Sequence, residues 1–177
     1  MIHILILIAL GLATYLFHNY QSFHEAYLRP WVVEQVNFNR EANPQALCDL
    51  LAEDVVVVIK DQYTRYKYDI NGGKSAACTY FLESAMHFKK PQKSQNGYIQ
   101  DNLENYSVDH ADLFKDYADV TFSTNVNGSV PDLISKGGDI LIGKTTTKIT
   151  VKIPLFKEAK ITYYEFDRKL TQKLDNN

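Results

Sequence analysis

The residues of this 177-residue chain that could do chemistry are few and widely spaced. Gly73-Lys74-Ser75 matches the last three residues of a phosphate-binding loop, in which backbone amides and a lysine hold phosphate oxygens. That loop needs a glycine five residues before Gly73, and Tyr68 stands there, so Lys74 reads as a solvated residue in a first helical turn. His110 can titrate near neutrality, with Asp109 and Asp112 nearby. Asp109 and His110 are adjacent on a predicted strand and point to opposite faces, so that pair cannot share a proton. His3, His18, His24 and His87 show no metal-ligand spacing, and Cys48 and Cys78 form no Cys-x-x-Cys or close Cys/His pair. No metal centre and no cofactor is expected. The two cysteines can pair if their Cα atoms lie within about 7 Å. Two buried, unpaired thiols are the reading preferred from sequence. Lys89-Lys90 with Lys93 reads as a solvated loop, and the Asn105 and Asn127 sequons matter only in a eukaryotic secretory setting.

Composition narrows the classes in which such residues could act. Nineteen basic and 21 acidic groups give a net charge of −2, with no excess of cations for a phosphate backbone, so nucleic acid is not an expected partner. With 45% hydrophobic residues and two cysteines, the chain is neither disordered, collagen-like nor disulfide-dense. The length suits one domain that buries roughly two-thirds of its unfolded surface.

The first seventeen residues differ from the rest. Met1–Phe17 contains no Asp, Glu, Lys or Arg, and ten of its residues are Ile, Leu or Phe. On an insertion scale these ten sum to roughly −3 to −6 kcal/mol. Residues 1–20 therefore read as a membrane anchor or signal segment, and 21–30 as a juxtamembrane connector. A cleaved signal peptide would want a basic n-region and a small-x-small site; a buried core helix would want a polar face. A single-pass membrane location is expected, with the C-terminal domain outside the cytoplasm.

The elements that must position any site follow from local signals. Pro30 interrupts or restarts a helix, and Trp31–Arg40 reads as a short one. Asn43-Pro44 is a helix start, followed by Leu47, Leu50 and Leu51 on one stripe, with the end expected near Glu53-Asp54. Val55–Ile59 is five β-branched residues in a row, the pattern of a strand covered on both faces. Gln62–Ile70 is a second strand or an irregular arm, Asn71-Gly72-Gly73 a turn, and Lys74–Phe88 a helix with Ala77, Tyr80, Phe81, Ser84, Ala85 and Phe88 at helical spacing. Beyond a polar loop at 91–97 the period changes to two around Tyr106, Ala118–Val126, Ile149–Ile153 and Ile161–Arg168, which marks antiparallel strands with one face on a core. Gly128–Lys144, with four glycines and Pro131, reads as an insertion or long hairpin tip. Helices first and strands last make an α+β fold: about three helices on a strongly curved antiparallel sheet.

Ala46–Val57, Gly73–Phe81 and Lys160–Asp167 resemble, in turn, the second helix with its following strand, the third helix and the last strand of the nuclear-transport-factor-2-like superfamily, the cone fold that includes ketosteroid isomerase-like and SnoaL-like proteins. The resemblance covers about residues 31–170, leaving 171–177 as a polar tail. It implies a cavity for which Tyr66, His110, Tyr164 and Phe166 are lining candidates, set against ordinary core packing. It also implies a catalytic carboxylate near the end of the first strand. Ungapped counting puts that base on Ile59, which cannot carry a proton; the nearest acid is Asp61. The resemblance extends to inner-membrane secretion-assembly proteins with one N-terminal anchor. The expected function is a membrane-tethered cone-fold binding domain, recognising an envelope protein or a lipophile, with a homodimer through the sheet face as one form of partnership. The alternative is an isomerase, dehydratase or hydrolase using Asp61.

Overall fold

The computed structural model describes residues 2–23, 25–38, 43–63, 66–87, 98–109, 116–131, 138–154 and 158–173. Helix α1 spans Ile2–Phe23 and α2 Glu25–Trp31; a π-helical segment, Val32–Phe38, follows. Then come α3 (Pro44–Leu50), β1 (Leu51–Tyr63), β2 (Tyr66–Gly72), α4 (Lys74–His87), β3 (Tyr98–Asp109), β4 (Tyr117–Pro131), β5 (Gly138–Lys152) and β6 (Lys160–Lys173). The architecture is α+β, as expected.

The six strands form one sheet in the order β2-β1-β6-β5-β4-β3. Four of its five pairings are antiparallel, and β1 with β6 is parallel. The wholly antiparallel sheet expected from sequence is corrected at that one seam. Alternation sets which face a residue occupies, not which strand lies beside it, so the parallel pair left no mark in the pattern.

Asn43 caps α3 as its type and the following proline require: the Ala46 amide donates to Asn43 Oδ1 at 3.3 Å, and Pro44 fills the first helical position. The helix ends earlier than expected, at Leu50, because the chain turns straight into β1. Lys160 Nζ donates to the Asp49 carbonyl at 2.7 Å, meeting one of the acceptors left open at that terminus. Strand β1 is covered on one face only: Val55, Val57 and Ile59 are buried, whereas Val56 is 52% exposed. β-branching made this a strand; the unbroken apolar run did not make it two-sided. The turn expected at residues 71–73 is shorter, since Asn71 and Gly72 complete β2 opposite Val58 and Val57. The presumed insertion at 128–144 is mostly sheet, with β4 and β5 paired from Tyr117↔Lys152 out to Pro131↔Gly138. Gly143 is needed where β5 meets β6: a Cβ there would collide with the Lys169 carbonyl and lie 2.6 Å from Leu170 Cδ2.

The core lies between the inner face of the sheet and the helices. Leu47, Ala77, Tyr80 and Phe81 meet Val57, Ile59, Phe122, Ile149, Tyr164 and Phe166. Leu28, Val32 and Val36 are also buried in it, so the 21–30 connector contributes to the folded body, and β6 continues three residues into the expected tail. Cys48 and Cys78 are paired as a disulfide with Cα atoms 5.4 Å apart, correcting the preference for free thiols. Their proximity depends on α3 lying against α4, which neither helix's own sequence specifies.

Helix α1 is not part of the core. Ile2, Ile4, Leu5, Ile6, Leu7, Ile8, Leu10, Leu12 and Phe17 are each 50–71% exposed, which excludes the buried-helix alternative. Among the described residues no helix is long and apolar enough to cross a membrane, so the spanning helix expected over residues 1–20 has no support from the fold. His3, Thr14 and His18 interrupt the apolar run.

Candidate functional site

One row of the sheet carries an unusual set of side chains on its inner face. Cross-strand register places Leu103, Thr124, Thr145, Arg168, Asp61 and Tyr68 side by side across all six strands. The next inner row is Tyr106, Phe122, Thr147, Phe166, Ile59 and Ile70. Helix α4 lies over the first row through Tyr80 and Ser84, one helical turn apart and both buried.

Asp61 and Arg168 are 3% and 2% exposed. Arg168 Nε donates to Asp61 Oδ1 at 2.9 Å and Nη2 donates to Oδ2 at 2.7 Å, a bidentate pair. The Tyr80 hydroxyl also donates to Asp61 Oδ2, at 2.7 Å. Arg168 Nη2 makes a longer contact with Ser84 Oγ, at 3.3 Å, and the guanidinium carbon stands 5.4 Å from the centre of the Phe166 ring. The pair supplies the compensation that buried charges require. Around it Tyr80 meets Tyr68 and Phe81 edge-on, at 5.3 and 5.7 Å between ring centres, and Phe81 meets Tyr164 at 5.4 Å.

Burial pushes the Tyr80 phenol well above its ordinary pKa; the nearby Arg168 opposes this, and Asp61 adds to it by charge and by accepting the proton in a hydrogen bond. Tyr80 is therefore a donor over the whole physiological range. Because the folded state holds this proton more tightly than the unfolded chain, the contribution is complete below the unfolded tyrosine pKa of about 10 and is lost as pH rises above it. Stability should thus fall in strongly alkaline solution, and Tyr80→Phe should flatten that fall. At neutral pH the same substitution should cost about 1.5–3 kcal/mol, the range for a hydrogen bond to a charged group. Denaturant titrations at pH 7 and above pH 10 check both expectations.

Asp61 shares the inner face with Ile59, two residues earlier, as the strand period requires. Three donors meet its two oxygens, one at Oδ1 and two at Oδ2, and hold the side chain in place. Tyr164 and Phe166 are fully buried and pack in the aromatic core. Tyr66 lies in β2 opposite Tyr63, but its side chain is outside the described residues, as are all of His110, Phe88 and Lys89-Lys90 with Lys93. Lys74 pairs with Glu53 at 2.7 Å, a surface contact that accounts for it without phosphate. Among the described residues no group of His, Cys, Asp and Glu could hold a metal. The outer face of β3, β4 and β5 carries a depression of about 380 Å³ lined by Asn105, Ser107, Thr121, Ser123, Lys144 and Thr146.

No local motif joins Arg168, Tyr80 and Ser84; the sequence signal for the Asp61–Arg168 pair is strand parity. Val57, Ile59, Asp61 and Tyr164, Phe166, Arg168 are two inner-face runs that each reach a charge, and the charges are opposite.

No family model and no curated protein matches the chain. Solved structures do. The β subunit of benzoate 1,2-dioxygenase from Burkholderia mallei has a TM-score of 0.56 at 12% identity, covering 83% of this chain and 91% of that one. A putative ketosteroid isomerase from Shewanella frigidimarina has 0.52 at 14%, covering 77% and 91%. An NTF2-like protein of unknown function from Pseudomonas putida has 0.51 at 12%, covering 81% and 84%. At these identities the likeness is one of fold, and it agrees with the helices and six-stranded sheet described above. In fold the chain is similar to this NTF2-like protein and to the other two structures.

Proposed function

We propose that this protein is a cone-fold domain held at a membrane by α1 and acting by binding rather than by catalysis. The observation that carries the reading is the closed Asp61–Arg168–Tyr80 network. The one acid near the end of β1 is committed to a guanidinium and a phenol, and the position at which the superfamily's base is expected is the buried Ile59. An isomerase, dehydratase or hydrolase built on Asp61 would have to break that pair before each proton transfer.

Attachment rests on α1. An all-round apolar surface of nine Ile, Leu and Phe side chains is costly in water at about 25 cal/mol per Å² and favourable in an apolar phase. Thr14, in the middle of the run, donates its hydroxyl to the Leu10 carbonyl at 2.8 Å, which lowers the cost of taking it out of water. The Cys48–Cys78 disulfide supports placing the folded domain on the non-cytoplasmic side, since such bonds persist in oxidising compartments. The full chain should pellet with membranes, and removal of residues 2–17 should move it to the soluble fraction. A full chain found in the soluble fraction would refute the attachment.

A further inference from the structure

We propose that the depression on the outer face of β3, β4 and β5 binds an acidic saccharide, with the carboxylate beside Lys144 and the sugar hydroxyls on Asn105, Ser107, Thr121 and Thr146. This gives the binding reading above a ligand class and rests on it. The hollow has a local cause. Cross-strand register sets Ser107 beside Thr121, and Asn105, Ser123 and Thr146 in the next outer row, so short polar side chains fill adjacent positions on three strands. Longer side chains border them: Lys148, paired with Glu165, opposite Thr121, and Lys144 opposite Asn125 one outer position further along. Asn105 reaches this face through a bulge. Leu103 and Asn105 lie opposite the consecutive residues Thr124 and Ser123, which makes Glu104 the extra residue. In a regular strand Asn105 would share the inner face with Leu103. The bulge turns it outward, as bulges do where a side chain must be re-aimed. There Asn105 Nδ2 donates to Ser123 Oγ at 3.1 Å, which leaves the amide oxygen as an acceptor.

Lys144 supplies the charge. It is exposed, its cross-strand neighbour on β6 is the equally exposed Lys169, and among the described residues neither forms an ion pair. Like charges directly opposite each other in a sheet repel, so an anion at this point relieves a cost that the fold carries. Other cations of the outer face are committed: Lys148 to Glu165 and Lys152 to Asp116. Of the nearby acids, Glu104 accepts a hydrogen bond from Asn125 Nδ2, and Asp167, opposite Thr146, also lies opposite Lys60. The half-buried Thr121 and Thr146 spend no hydroxyl on the protein among the described residues. Hydroxyls and an amide on strands about 4.8 Å apart can donate to and accept from a polyol at several points. The nearest rings, Tyr106 and Phe122, pack with the core, so none is set to stack a nucleobase, and the polar floor offers nothing to an acyl chain.

The test uses the full chain in neutral-detergent micelles at low salt, with tetragalacturonate as probe, its methyl ester as the uncharged counterpart and inorganic phosphate as an anion without the sugar. Binding is followed by ligand-observed NMR against empty micelles. Tetragalacturonate should bind, the ester should bind about tenfold more weakly, and phosphate at equal concentration should not displace the probe. Lys144→Gln should weaken binding about tenfold, and the combined Thr121→Val, Thr146→Val variant about fivefold. Lys144→Arg should retain binding, as should Lys67→Gln, which removes an exposed cation from β2, beyond the depression. These positions lie outside the core, so each variant should unfold at the wild-type temperature, which separates a lost contact from a lost fold. No binding by the wild type, equal binding of the ester, displacement by phosphate, or undiminished binding by Lys144→Gln would overturn the proposal. An equal loss in Lys67→Gln would also overturn it, since the attraction would then be diffuse. The length of the recovered tetrasaccharide is read separately: cleavage would overturn the reading of the domain as non-catalytic, whereas the variants alone decide where the saccharide sits.

Discussion

Arg168→Met should destabilise the domain by about 3–5 kcal/mol, the cost found when one partner of a buried ion pair is removed and the other is left behind. Domains of this size have about 5–15 kcal/mol in total, so the variant should sit near the edge of folding. The reason is local. Asp61 is 3% exposed, and two of its three hydrogen bonds come from Arg168. With methionine in place of arginine, only the Tyr80 hydroxyl remains as a donor. The double variant Asp61→Leu, Arg168→Met should recover most of the loss, because the charge to be compensated is gone and the surrounding rings of Phe166 and Tyr80 accept an aliphatic side chain. Urea denaturation of the two singles and the double provides the cycle. A single Arg168→Met variant within 1 kcal/mol of wild type would show that the network is not closed in solution.

Loss of the disulfide should have the next largest effect. Cys48 and Cys78 are separated by 30 residues, and cross-linking a loop of that length stabilises by roughly 3–4 kcal/mol on the chain-entropy relation. The Cys48→Ala, Cys78→Ala variant should lose about that much. Dithiothreitol should lower the unfolding midpoint of the wild type toward that of the variant and leave the variant unchanged. Because the bond ties α3 to α4, and α4 supplies Tyr80 and Ser84, its removal should also loosen the cover over Arg168, seen as faster amide exchange in Tyr80–Ala85. Insensitivity of the wild-type midpoint to reductant would mean that the thiols are unpaired in the purified protein.

These two effects come from contacts of different legibility. The helix start at Asn43-Pro44, the strand at Val55–Ile59 and the helix beginning at Lys74 are written in local chemistry: a capping side chain, β-branching, and apolar spacing of three and four. Each recurs in the structure with shifts of a few residues at the ends. The inner face was equally readable for Ala118, Val120, Phe122, Tyr164 and Phe166, because the strand period alone assigns it. Asp61 stands out by its place near the end of the first strand, whereas Arg168 marks only the limit of an aromatic segment. Thr124 falls on the same alternation as Phe122, whereas Thr145 and Thr147 carry no sign of their side, since threonine favours strands whether buried or exposed.

The chain's own residues determined the α+β order, the apolar N-terminal helix and the side of each strand that turns inward, since these depend on side-chain shape and on neighbours within a turn or two. Only the folded molecule decided that β6 lies between β1 and β5. That places Arg168 between Asp61, 107 positions earlier in the sequence, and Thr145, while the packing of α3 on α4 sets Cys48 against Cys78. Pairing between distant strands and helices is chosen by the total burial and hydrogen bonding of the whole sheet, a sum to which no short stretch of sequence holds more than one term.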